Sequence, residues 1–183
     1  MNIAVVAIGN SVMGDDGAGP AALALLRRRP RPEGVSLQNL ERHSLGALGL
    51  LRDNHPLILL DALLGGQLPG TVYRISASRL KLGFASSLSL HELHLLHLAA
   101  RFFPERLASI TVLGVEPARM VPGTGLSPAV RSALPTLVFL AEREIRRIKK
   151  YAPRFLSDEA YFLSARGCRP FGGPTALSTP QRV

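Results

Sequence analysis

Three short segments of this chain are apolar almost without interruption: Asn2–Ile8 (NIAVVAI), Pro56–Leu60 (PLILL) and Ile110–Val115 (ITVLGV). A strand with one wet face alternates apolar and polar residues. A strand covered on both faces does not, and such runs belong to parallel strands held between helices. Val35–Leu40 and VYRIS at Val72–Ser76 supply two more strand candidates. Helical segments fall between them at Pro20–Arg29, Leu45–Arg52, Leu90–Arg101 and Ser127–Lys150. This alternation predicts an α/β three-layer sandwich: a twisted, mostly parallel central sheet of about five strands with helices on both faces.

The 183 residues suit one domain, spanning 1–150. From about Tyr151 to Val183 the chain turns rich in Pro, Gly, Ser and Thr (RGCRPFGGPTALSTPQ), and this stretch is expected to be a flexible tail. A single cysteine, Cys168, excludes a disulfide framework and a Cys-rich metal site. No Trp is present and aromatics make up 5%, so platforms for stacking bases are scarce. No apolar run reaches the roughly 18–20 residues of a membrane span. The first residues lack the basic flank and cleavage pattern of a signal peptide. The expected setting is the cytoplasm, with neither membrane nor nucleic acid as partner. The net charge of +9 is concentrated at Arg27–Arg28–Arg29–Arg31 and at Arg143–Arg146–Arg147–Lys149–Lys150. Each cluster closes a predicted helix, where cations suit the negative end of the helix dipole. The sharper reading of the same clusters is a patch for nucleic acid or an acidic protein.

In a parallel sheet, ligands bind beyond the carboxyl ends of the strands. Three features fall there. The first is the turn GNSVMGDDGAG after the first strand. It is no dinucleotide or Walker loop: Asp15 and Asp16 would repel a phosphate, and no Lys–Ser/Thr pair follows. Paired acids favour a cation, although either could simply cap the next helix. The second is Asp61, a lone acid closing a buried strand, costly unless it is paired or binds a metal, or caps the next turn. The third is His91, in the first turn of a helix that Ser89 and Glu92 would open as a capping box. The positive helix end disfavours imidazolium there, which leaves a neutral ring able to bind metal. HELHLLH carries two more histidines, but His94 and His97 rotate away from His91 with the helix. With Arg101 they occupy the side opposite Leu93, Leu96 and Ala100 and read as surface residues. Two carboxylates and an imidazole suit Ni²⁺, Zn²⁺ or a similar ion; a carboxylate pair activating water is the other option.

These motifs, with LILLDAL, LPGTVY, SLHEL, and LGVEP followed by GTGLSPAV, occur in one order. In that order the chain resembles the nickel–iron hydrogenase maturation endopeptidases over about residues 2–150. The resemblance implies a protease that removes a C-terminal extension from the hydrogenase large subunit after nickel insertion. It places the family's nickel-binding acids and histidine on Asp16, Asp61 and His91, as both metal-meeting and catalytic residues. Asp15 is the neighbouring acid of the motif. Nickel would arrive with the precursor, and the enzyme would be of aspartic type or nickel-dependent. Arg42–Gly46 (RHSLG) departs from a glycine-rich family pattern, which bears on the choice of hydrogenase. The rival expectations are a non-catalytic nickel-binding chaperone of the same fold and a peptidyl-tRNA hydrolase-like enzyme, which +9 would suit.

Overall fold

The computed structural model describes residues 2–41, 47–53, 55–79, 90–151, 161–164 and 167–170. The strands are β1 (Ile3–Ile8), β2 (Val35–Glu41), β3 (Leu57–Ala62), β4 (Val72–Ser76), β5 (Ile110–Val115), β6 (Tyr161–Ser164) and β7 (Gly167–Pro170). The helices are α1 (Ala18–Leu26), α2 (Ala47–Arg52), α3 (Leu90–Phe102) and α4 (Pro128–Tyr151). The three apolar segments form β1, β3 and β5, and every residue of these strands is buried.

One sheet runs in the order β2-β1-β3-β5-β4-β6-β7. Strands β2, β1, β3 and β5 are mutually parallel. Strand β4 pairs antiparallel with β5. Its direction follows from chain length. The link from Ala62 to Val72 is too short for a crossover, so β4 starts where β3 ends and returns alongside β5. The sheet is wider than about five strands because β6 and β7 add an antiparallel hairpin to β4. These residues lie in the stretch expected to be a flexible tail, and that expectation is corrected for them. Tyr161, Phe162 and Leu163 are strand formers, and β4 would otherwise leave an open edge beside them.

Alternation along each strand divides the core in two. Ile3, Val5, Ala7, Ile58 and Leu60 face α1 and α4, meeting Leu23, Leu26, Leu137, Ala141 and Ile145. Ala4, Val6, Ile8, Leu57 and Leu59 face the other way, toward Leu95, Leu96 and Ala99 of α3, with Leu50 of α2 at the margin. Helix α3 therefore buries Leu95, Leu96 and Ala99, while Ala100 is exposed. The expected face through Leu93, Leu96 and Ala100 was rotated from the true one; adjacent alanines fit either stripe equally well. Helix α1 lies close to the sheet through Gly19. A side chain there would collide with the carbonyl oxygens of Leu60 and Ile8. Among the described residues no helix is long and apolar enough to cross a membrane.

One buried polar cluster joins α4 to the sheet. Arg74 of β4 donates from Nε and a terminal nitrogen to the two Glu144 oxygens, each at 3.1 Å. Thr111 of β5 donates to the same carboxylate at 2.9 Å, and Arg147 donates from one turn along α4. Arg74, Thr111 and Glu144 are all buried. Burial alone would raise the Glu144 pKa, but the two guanidinium groups outweigh it and hold it at about 2. A carboxyl depressed on folding stabilises the fold above its unfolded pKa, and that contribution is lost as pH falls through the folded value. Replacing Glu144 by Ala strands a buried Arg74 and should cost about 3–5 kcal/mol in urea unfolding at neutral pH. The wild-type advantage should shrink as pH falls from about 4.5 toward about 2. An equal advantage across that window would contradict this assignment.

Candidate active site

The first strand ends at Gly9, which takes φ +111°. The chain then folds back so closely that a side chain on Gly9 would strike the carbonyl oxygen of Asp16. The same added carbon would lie 3.1 Å from Oδ1 of Asp61. The Asp16 backbone and the Asp61 carboxylate, 45 residues apart in the chain, thus both pack against the end of β1. Only a residue without a side chain fits between them.

Asp15 and Asp16 sit in a 3-10 turn, Gly14–Gly17, that leads into α1. Three residues per turn send neighbouring side chains in different directions. Asp15 is fully buried and Asp16 is half-buried. Asp15 Oδ2 accepts the N–H groups of Ala118 at 2.8 Å and Arg119 at 3.0 Å, and Oδ1 accepts that of Ser127 at 2.6 Å. Its own N–H donates to the Arg119 carbonyl at 3.0 Å. Burial opposes ionisation of Asp15, but the Ser127, Arg119 and Ala118 amides prevail and its pKa is lowered. Ser127 in turn caps α4: its Oγ accepts the Val130 N–H at 3.3 Å, with Pro128 in the first helical position. Asp16 Oδ2 accepts the Asn10 N–H at 2.8 Å. Neither acid caps α1, whose N-cap is Gly17 with no side-chain bond.

Asp61 is fully buried, and its Oδ1 accepts the neighbouring Ala62 N–H at 2.7 Å. His91 lies in the first turn of α3. The other end of α3 leads through the Pro104–Ser109 turn into the start of β5. The first turn of α3 is therefore remote from that lower edge of the sheet. The side chains of His91, Glu92, Leu93 and His94 lie outside the described residues, as do Ser89 and Arg42–Gly46. His97 is exposed, as a surface histidine should be. Among the described residues no three His, Cys, Asp or Glu side chains gather as a metal cluster.

Glu116 holds the neighbouring loop in a way that its place in the sequence does not reveal. It directly follows β5, as Asp61 closes β3, and it carries the same signal of an acid after an apolar run. It is buried, and its Oε2 accepts the N–H groups of Gly65 at 2.8 Å and Gln67 at 3.2 Å together with the Tyr73 hydroxyl. Burial and the Glu116 charge push the Tyr73 hydroxyl well above the ordinary phenol range. Glu116 thereby anchors the loop that follows Asp61. The loops around the acids carry exposed apolar side chains at Val12, Leu64, Leu68 and Val121. A pocket of about 350 Å³ opens beside them, lined by Ser11, Gly17, Pro20, Ala21, Gly125 and Leu126.

Known proteins share this sequence pattern and fold. The HycI family, described as hydrogenase maturation protease, matches residues 24–144. The hydrogenase 2 maturation protease of Escherichia coli K12 is 28% identical over 138 residues, covering 73% of this chain and 84% of its own. The solved structure of the hydrogenase maturating endopeptidase HybD from E. coli superposes with a TM-score of 0.67 at 25% identity, covering 80% of this chain and 93% of that one. The HycI maturation protease of Thermococcus kodakarensis shares the fold, with a TM-score of 0.65 at 22% identity over 78% of this chain and 90% of its own.

The two neighbouring acids should separate in stability measurements. Asp15→Asn places an amide NH₂ against backbone N–H donors and should cost about 2–3 kcal/mol in urea unfolding. Asp16→Asn alters a half-buried carboxylate and should cost less, about 1 kcal/mol. Equal losses would contradict the division between a holding acid and a presenting one.

Proposed function

The chain belongs to the hydrogenase maturation protease family and is a peptidase; we propose that it removes the C-terminal extension of a nickel–iron hydrogenase large-subunit precursor. The observation that carries this reading is that the Asp61 carboxylate lies against Gly9 while the Asp16 carboxylate is held by the N–H of the next residue, Asn10, at the carboxyl ends of β3 and β1. Nickel is then part of the substrate, brought by the precursor. Asp16 is the partly exposed acid at the mouth, and Asp61 is the buried one. Two carboxylates offer a divalent ion hard oxygen donors. His91, in the first turn of a 13-residue helix, would offer a ring nitrogen.

Gripping the metal would fix the scissile bond beside the acids. A water molecule adds to the peptide carbonyl, a carboxylate taking its proton, and the C–N bond breaks as the proton passes to the departing amine. Metal polarisation of the carbonyl or of the water would lower this barrier. The exposed Val12, Leu64, Leu68 and Val121 suit an extended polypeptide, because they give it apolar contact around the polar centre. The work belongs in the cytoplasm, where the precursor is folded and loaded.

Purified precursor carrying nickel, incubated with the protein, should yield a shorter large subunit on a denaturing gel. Asp16→Asn, Asp61→Asn and His91→Ala should each slow that conversion by about 100-fold or more, with circular dichroism unchanged. Normal conversion by folded His91→Ala and Asp61→Asn proteins would defeat the assignment. Cys168→Ser should process precursor at the wild-type rate, since no thiol takes part; loss of cleavage would show a cysteine mechanism instead.

A further inference from the structure

At the end of the molecule away from the acids, the two basic clusters of the sequence become one surface. Helices α1 and α4 pack side by side on the same face of the sheet, and their last turns bring the clusters together. A groove of about 290 Å³ opens there, with an apolar floor of Leu26, Pro32, Leu37 and Ile145 and with Arg31 and Arg146 beside it. Arg27, Arg28 and Arg29 continue from Leu26 and are exposed. Arg143 and Lys150 stand three residues before and four after Arg146, on the same helix face, and are also exposed. Lys149 donates to the Glu33 carbonyl, which ties the end of α4 to the segment forming the opposite wall. Acids are few: Glu142 lines the groove, Glu33 is exposed beside Pro32, and Glu144 is buried against Arg74 and Arg147.

We propose that this groove docks an acidic polypeptide segment of a partner protein, seating one or two of its apolar side chains on the floor. The charge selects the segment's acids, and the floor selects its apolar residues. The alternatives fit less well. A second copy of this chain would bring like charges face to face. Residues 171–183 of the chain itself contain no Asp or Glu and include Arg182, and residues 152–160 set Arg154 against Asp158 and Glu159, so neither segment offers a strongly acidic complement. A nucleic acid would find no aromatic side chain lining the groove and would meet the Glu142 carboxylate. The site is independent of the acids at the mouth and of the reaction proposed for them.

The test uses the full chain and a fluorescein-labelled peptide of about eight residues that alternates Asp or Glu with two leucines. Fluorescence anisotropy should show saturable binding that weakens by about tenfold or more when salt rises from about 50 mM to about 500 mM. Replacing both peptide leucines by serine should weaken it by about tenfold or more. The double variant Arg31→Glu, Arg146→Glu should weaken it further still, with an unchanged urea midpoint; Arg31→Gln with Arg146→Gln is the substitute if charge reversal disturbs the fold. Any one of four results overturns the proposal: no saturable binding, equal binding of the serine peptide, equal binding by the folded variant, or an oligothymidylate that binds as tightly as the peptide.

Discussion

The structure turns on one carboxylate. Asp15 has no exposed surface, yet it is held in its charged form by three backbone amides from a loop more than a hundred residues away. The need is mutual. The buried charge requires donors, and the amides of Ala118, Arg119 and Ser127 require an acceptor. The bond to Ser127 also fixes the residue that caps α4, so a single side chain sets the first turn, the loop after β5 and the start of the longest helix. Asp16 stands next to it in a turn that sends the two side chains apart. Its position beside Asn10 is therefore inherited from a neighbour whose carboxylate is taken up by backbone amides.

Much of this arrangement could be read from the chain alone. The apolar runs of β1, β3 and β5 specified strands buried on both faces, and Asp61 and the acidic pair were legible as charges set where burial is expensive. The roles within the pair were not. Adjacent acids in a glycine-rich turn look alike until a distant loop supplies partners for one of them. Glu116 shows the converse: its sequence signal equalled that of Asp61, but its donors, Gly65, Gln67 and Tyr73, lie on other segments. Arg74 and Glu144 are likewise invisible as a pair, 70 residues apart and each ordinary in its own element. The hairpin of β6 and β7 was hidden by the Pro- and Gly-rich residues around it, which outweighed the three strand formers Tyr161, Phe162 and Leu163.

The two ends of the sheet carry opposite chemistry. At the carboxyl ends of β1 and β3, acids gather beneath loops with apolar side chains. At the opposite end, cations surround an apolar groove. Both follow from connectivity in a parallel sheet. Each crossover helix begins at the mouth and ends at the far edge, so basic residues that favour helix C-termini collect there while the strand ends keep the acids.

The central claim is that the acids and histidine at the mouth read a metal carried by the substrate. Its most direct test is the rate of cleavage of one purified precursor preparation, half loaded with nickel and half left metal-free. The account predicts a shortened large subunit only from the loaded half. Equal cleavage of the metal-free half would contradict it.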